Sequence, residues 1–81
     1  MHNNDTQVEQ PFAFWRLGDE TEPGKVATYT PSGELTSLEE LSPDEDGDDG
    51  LRRLGYRRAD AAKWTEHDDI RDTYAVDIRP L

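Results

Sequence analysis

Apolar positions along this chain come in short clusters separated by polar, turn-forming stretches. Residues 1–10 hold little that could anchor a core and read as a flexible polar arm. Residues 11–81 read as a single small domain. Its first cluster, Phe12-Ala13-Phe14-Trp15-Arg16-Leu17, is closed by Gly18 and predicts a strand. Alternation puts Phe12 and Phe14 on one face and Ala13, Trp15 and Leu17 on the other. With apolar groups on both faces, the strand is either central or covers an interface.

A turn-rich acidic stretch from Asp19 to Gly24 leads into a second predicted strand, Lys25 to Thr30. Pro31-Ser32-Gly33-Glu34 has turn chemistry. Leu35 to Leu41 suggests a third strand passing into a helical turn. Ser42 and Pro43 then supply a cap and a first helical residue, and Asp44, Glu45 and Asp46 complement the positive end of a helix dipole. Leu51 and Leu54 share a face, Arg52 and Arg53 suit the negative end, and Gly55 fits the C-cap. A helix is expected over 43–54, weakened inside by Gly47 and Gly50.

Tyr56 to Ala59 reads as a strand followed by a turn of helix up to Trp64, or as one extended segment with it. Glu66 to Asp72 reads as an acidic loop. Thr73 to Arg79 alternates most cleanly, with Tyr74, Val76 and Ile78 on one side. The expected fold class is α+β, a small mostly antiparallel sheet of three to four strands packed against one helix. Its core would draw on Phe12, Phe14, Val26, Leu38, Leu41, Leu51, Leu54, Tyr56, Trp64, Tyr74, Val76 and Ile78.

Composition changes what this core must withstand. Only 32% of the 81 residues are hydrophobic, and nineteen carboxylates against nine Lys and Arg give a net charge of -10. A thin core under self-repulsion lies near the border of disorder. Salt screens that repulsion, with a Debye length of about 8 Å at physiological ionic strength and about 3 Å at 1 M. The cations are mostly Arg, with Lys25 and Lys63 the exceptions, and Asp and Thr recur. This points to adaptation to brine. A GC-rich genome also favours Arg over Lys and is the alternative.

Several function classes lose support. No run approaches the ~20 apolar residues of a membrane span. The N-terminal residues lack the apolar core of a signal peptide, and no lipidation motif follows Arg79. A cytoplasmic or virion-associated protein is therefore expected. There is no Cys, hence no disulfide and no Cys-based metal centre. Direct nucleic-acid binding is disfavoured by the charge.

The run from Asp44 to Gly50 invites comparison with a calcium loop, which needs Gly at position 6 and Glu at 12. Counting from Asp44 puts Asp49 and Gly55 there, and counting from Ser42 puts Arg53 at position 12. Both registers fail, and a solvated helix start is the simpler reading. His67, among Glu66, Asp68 and Asp69, lacks converging ligands. No metal and no cofactor are expected. Ser32, Ser37 and Ser42 lie in turn or capping contexts without a nucleophile elbow, so no catalytic residue is assigned.

Two sets of partner-binding residues are expected. One helix covers one face of a sheet, which would leave Trp15, Ala13 and Leu17 for a partner chain. Arg52, Arg53, Arg57 and Arg58 form the one basic cluster, read as paired with nearby carboxylates, as a protein contact, or more weakly as a phosphate site. The expected function is a non-enzymatic acidic protein-interaction module. It would be an accessory or structural subunit of a larger assembly in a halophilic cell or its virus. The alternatives are an acidic nucleic-acid mimic and an antitoxin- or immunity-type inhibitor that blocks a basic groove. A protein partner is expected, and self-association remains open.

Overall fold

The computed structural model describes residues 10–81, so the polar arm expected over 1–10 lies, Gln10 apart, outside the described residues. The chain forms β1 (Phe12–Arg16), β2 (Lys25–Tyr29), β3 (Leu35–Glu40), α1 (Gly47–Leu54), β4 (Tyr56–Arg58), β5 (Thr65–Glu66) and β6 (Thr73–Pro80). All six strands join one antiparallel sheet in the order β3-β2-β1-β6-β4, with β5 also on β6.

The expected sheet of three to four strands is thus corrected to six strands with one short helix. The difference lies in β4, which the sequence offered only as one of two readings, and in β5, which at two residues is too short to carry a pattern of its own. They become strands because β6 is long. Its one edge pairs with β1, and its other edge takes β4 at the C-terminal end and β5 further back. Ala59 N–H continues this edge by donating to Asp77 O, and His67 N–H by donating to Thr73 O. The turn of helix expected between Asp60 and Trp64 is replaced by a loop in which Ala61 takes a left-handed backbone, φ 62°.

Local chemistry explains the turns. Asp19 Oδ1 accepts from Thr21 N–H and Glu22 N–H, folding the β1–β2 loop back on itself. The β2–β3 hairpin closes at Pro31–Glu34, where Gly33 has φ 99° and its N–H donates to Thr30 O. A bulge then shifts the β2–β3 register, so that Ala27 faces Leu38 but Tyr29 faces Leu35. Leu35 and Leu38 therefore share a face although they are three residues apart.

The helix begins later than 43. Ser42 and Glu45 form a separate turn, in which Ser42 N–H donates to Glu45 Oε1 and Glu45 N–H to Ser42 O. Asp46 is the N-cap, and Asp46 and Asp49 form a reciprocal capping box. Gly55, left-handed at φ 91°, is the C-cap. No helix among the described residues is long and apolar enough to cross a membrane.

The core sits between α1 and one face of the sheet: Ala13, Val26, Leu41, Leu51, Val76 and Ile78, flanked by Trp15, Leu54, Tyr56, Ala62 and Trp64. The two helix glycines permit this contact. A Cβ on Gly47 would lie 2.7 Å from Trp64 Cζ2, and one on Gly50 would lie 2.8 Å from Leu41 Cδ2 and 2.9 Å from Val26 Cγ2. The residues that weaken the helix locally thus let it seat close to the sheet. Thr28, fully buried on the same side, is satisfied by the hydroxyls of Thr36 and Ser37.

This arrangement reverses the expected division of the first strand. Ala13 is in the core with no exposed surface, and Trp15 packs beside it. Phe12 and Phe14 lie on the opposite, helix-free face, and Leu38, also expected in the core, is 53% exposed there. The helix glycines make room for large side chains: Gly47 lies against the Trp15 and Trp64 indoles and Gly50 against Leu41 and Val26, so the Trp15 side of β1 is the side the helix covers.

Candidate interaction face

The helix-free face of the sheet is built in cross-strand rows. The central row is Leu38, Ala27, Phe14 and Ala75, in register across β3, β2, β1 and β6. One row toward the start of β1 lie Leu35, Tyr29, Phe12 and Asp77. One row toward its end lie Glu40, Lys25, Arg16 and Thr73.

An aromatic cluster occupies the middle. Phe12 and Tyr29 stack with centroids 5.2 Å apart and planes within 9°. Phe14 tilts against both, at 5.6 Å from Phe12 and 5.2 Å from Tyr29. His67 meets Phe14 edge-on at 5.4 Å, and its Nδ1 accepts from Asp69 N–H. A shallow groove runs beside Phe14 over Ala27 and Tyr29, bordered by Leu38 and Ile70 and by Arg16 and Lys25. Leu38, Ile70 at 44% exposure and Leu35 at 57% are large apolar side chains in solvent on this side of the molecule.

Of the residues singled out from the sequence, Trp15 and Leu17 remain close together. They edge a cleft between the β1–β2 loop and the segment before α1, with Leu41 at its floor and Glu20, Glu22 and Glu45 around it. Trp15 itself is engaged, edge-on to Trp64 at 5.4 Å and 5.7 Å from Tyr74. Ala13, fully buried, presents nothing to a partner.

Arg52, Arg57 and Arg58 line one open pocket with Asp48, Asp60 and Lys63, and each of the four arginines is paired with a carboxylate. Arg53 bridges Glu39 at 3.0 Å and Glu45 at 2.5 Å and also donates to Glu40 O, tying the helix to β3. The Ser42 N–H and then the Arg53 guanidinium hold the Glu45 carboxyl below its ordinary range, and Glu45 raises Arg53 in return. Arg52 pairs with Asp49 one helical turn before it. Arg58 bridges Asp48 at 3.1 Å, and the same Asp48 oxygen accepts from Trp64 Nε1 at 3.0 Å. Arg57 and Arg79 oppose each other across β4 and β6, an unfavourable like-charge pair. Asp60 resolves it, accepting from Arg57 at 3.2 Å and from Arg79 at 3.1 Å.

The acidic run at the start of α1 is likewise occupied by structural work: Asp46 and Asp49 cap the helix, and Asp48 holds Trp64 and Arg58. Among the described residues no three His, Asp or Glu side chains converge to hold a metal ion. Set against known proteins, the chain matches no family model, no curated protein and no solved structure.

The sequence reading placed Phe12 and Phe14 in the core and Ala13 outside it, whereas Ala13 is buried in the helix-covered core and Trp15 packs against it. The signal that could have corrected it was present in Gly47, Gly50 and Leu51. Glycines on the helix's inward side leave room for bulky partners, and Trp15 and Trp64 fill it at Gly47 as Leu41 and Val26 do at Gly50.

Proposed function

We propose that this protein is a non-enzymatic interaction module, an accessory or structural subunit of a larger assembly in a halophilic cell or its virus. The observation that carries the reading is the half-buried aromatic cluster of Phe12, Phe14 and Tyr29 on the helix-free face, with exposed Leu35, Leu38 and Ile70 on the same side. Among the described residues, the one eight-residue helix packs on one side of the six-stranded sheet and no helix lies on the other. A sheet face bearing three clustered aromatics and exposed leucines is stabilised when another surface covers it.

The placement of carboxylates favours brine adaptation over nucleic-acid mimicry. Exposed Asp and Glu occupy the β1–β2 loop, the β2–β3 turn, the segment before α1, the β4–β5 loop and the β5–β6 loop. They ring the molecule. A mimic of a phosphate backbone would set them in a stripe along one face.

The test is recovery of complexes by the tagged chain from its own cells at molar KCl, comparing wild type with Phe14→Glu. A turn variant, Ser32→Glu, controls for added charge. The reading expects a defined set of proteins retained by wild type and Ser32→Glu and lost with Phe14→Glu. The same set in all three would count against it.

A further inference from the structure

The open face carries its own complement. Its rows differ in character, and the difference is symmetric about the central row. At one end Arg16 and Lys25 stand side by side on β1 and β2. Neither forms an ion pair within 4 Å among the described residues. At the other end stand the faces of Phe12 and Tyr29, with Asp77 next to Phe12 across β1 and β6. Asp77 also lacks an ion-pair partner among the described residues.

We infer that the occupant of this face is a second copy of the chain, packed sheet to sheet with its strands antiparallel. The inference rests on the reading of the open face as a contact surface. Two aligned sheets pack about 10 Å apart. A two-fold axis lying between them and across the strands keeps each strand over its own counterpart and reverses its direction. The central row then meets itself, Phe14 and Leu38 against the same residues of the other copy. The cationic row meets the aromatic row: Arg16 comes over Phe12, and Lys25 over Tyr29. Cations over aromatic faces attract, more strongly once water is excluded. Asp77 lies one strand away from the incoming Arg16 and supplies its counter-charge. Glu40, at the sheet edge, meets only Leu35.

The other two-fold packing, with strands parallel, brings the Arg16–Lys25 row onto itself and sets its cations together against a single carboxylate per copy, Glu40 at the row's β3 end. The charge pattern therefore selects one orientation, and the resulting contact is isologous, as two-fold symmetry requires. Net charge works against it. Each copy carries -10, so association needs the screening that concentrated salt provides.

The experiment is sedimentation equilibrium of the full chain at about 0.15 M and about 2 M KCl, where the Debye length falls from about 8 Å to under 3 Å. The expected result is a dimer at high salt that weakens at low salt. Phe14→Glu should be monomeric in both while keeping its circular dichroism. Should Phe14→Glu not fold, Arg16→Glu with Lys25→Glu alters only side chains at the outer end of the face. That pair should weaken the dimer by roughly tenfold or more. Adding Asp77→Arg should recover most of the loss. Binding of the apolar anionic dye anilinonaphthalene sulfonate is measured in parallel. A monomeric wild type whose dye binding is lost in Phe14→Glu would overturn the second-copy inference and leave the face available to another protein. A dimer indifferent to Phe14→Glu would overturn both readings.

Discussion

Gly47 lies against the indole of Trp15, so close that a methyl group on its Cα would come within 2.8 Å of Trp15 Cδ2 and Cε3. In an exposed helix Gly→Ala gains about 1 kcal/mol of propensity. Here the added methyl has nowhere to go, and overpacking of a close-packed contact costs typically ~1–3 kcal/mol. Gly47→Ala and Gly50→Ala should therefore each lower stability in spite of their better helix propensity. Urea unfolding at molar KCl measures this. A rise in midpoint for either would mean that the helix does not sit this close.

Trp15 and Trp64 meet edge-on over the same glycine. Replacing a fully buried Trp by Ala costs about 3–5 kcal/mol. Both indoles are only half-buried, so the lower end of that range, about 3 kcal/mol, is expected for each. A double-mutant cycle should show positive coupling of about 0.5–1.5 kcal/mol, the usual size for an aromatic pair. Additive losses would place the two rings apart.

Asp48 links three elements, accepting from Trp64 Nε1 and pairing with Arg58 while sitting in the first turn of α1. Asp48→Ala leaves the indole N–H without its partner, at a cost of about 1–3 kcal/mol. Asp48→Asn keeps an acceptor oxygen and should recover part of it. Thermal unfolding of both variants decides this, and equal losses would show that the charge alone matters.

Glu45 gives the acid limb of stability a sign. Its carboxyl is held below its ordinary range by Ser42 N–H first and Arg53 second. A carboxyl whose folded pKa lies below its unfolded pKa contributes stability that is present above the unfolded value. That contribution is lost as pH falls through the folded one. Asp19, held down mainly by Thr21 N–H, acts in the same direction. Protonation elsewhere relieves the net charge of -10 and opposes this trend at low salt. At molar KCl that repulsion is screened, and stability should fall with pH below about 4. Glu45→Gln should be less stable than wild type at neutral pH and show a shallower acid slope. An unchanged slope would remove Glu45 from the account.

Much of the strand framework was legible because it is local. Phe12–Arg16, Lys25–Tyr29 and Thr73–Pro80 announce themselves by alternation, and Gly33 and Gly55 by turn and cap chemistry. What escaped depends on partners distant in sequence. Thr65–Glu66 is a strand only because β6 has a free edge beside it. The helix start was misplaced because Ser42-Pro43 and Asp46 offer rival caps. The second closes a capping box with Asp at the third position rather than the usual Glu. The bulge that brings Leu35 and Leu38 to one face is invisible to a period of two. The helix-covered side of β1 was misassigned because Gly47 and Gly50 were weighed for helix propensity alone, not for the close approach they allow.

The central claim is that the two faces of β1 divide their work: Ala13 and Trp15 hold the fold, and Phe12 and Phe14 meet a partner. The most direct measurement is the unfolding free energy of Trp15→Ser and Phe14→Ser, each as a dilute monomer at the same molar KCl. The account predicts that Trp15→Ser loses clearly more, by at least about 1–2 kcal/mol, because only its site belongs to the helix–sheet contact. A larger loss for Phe14→Ser would contradict it and place the structural core on the other side of the sheet.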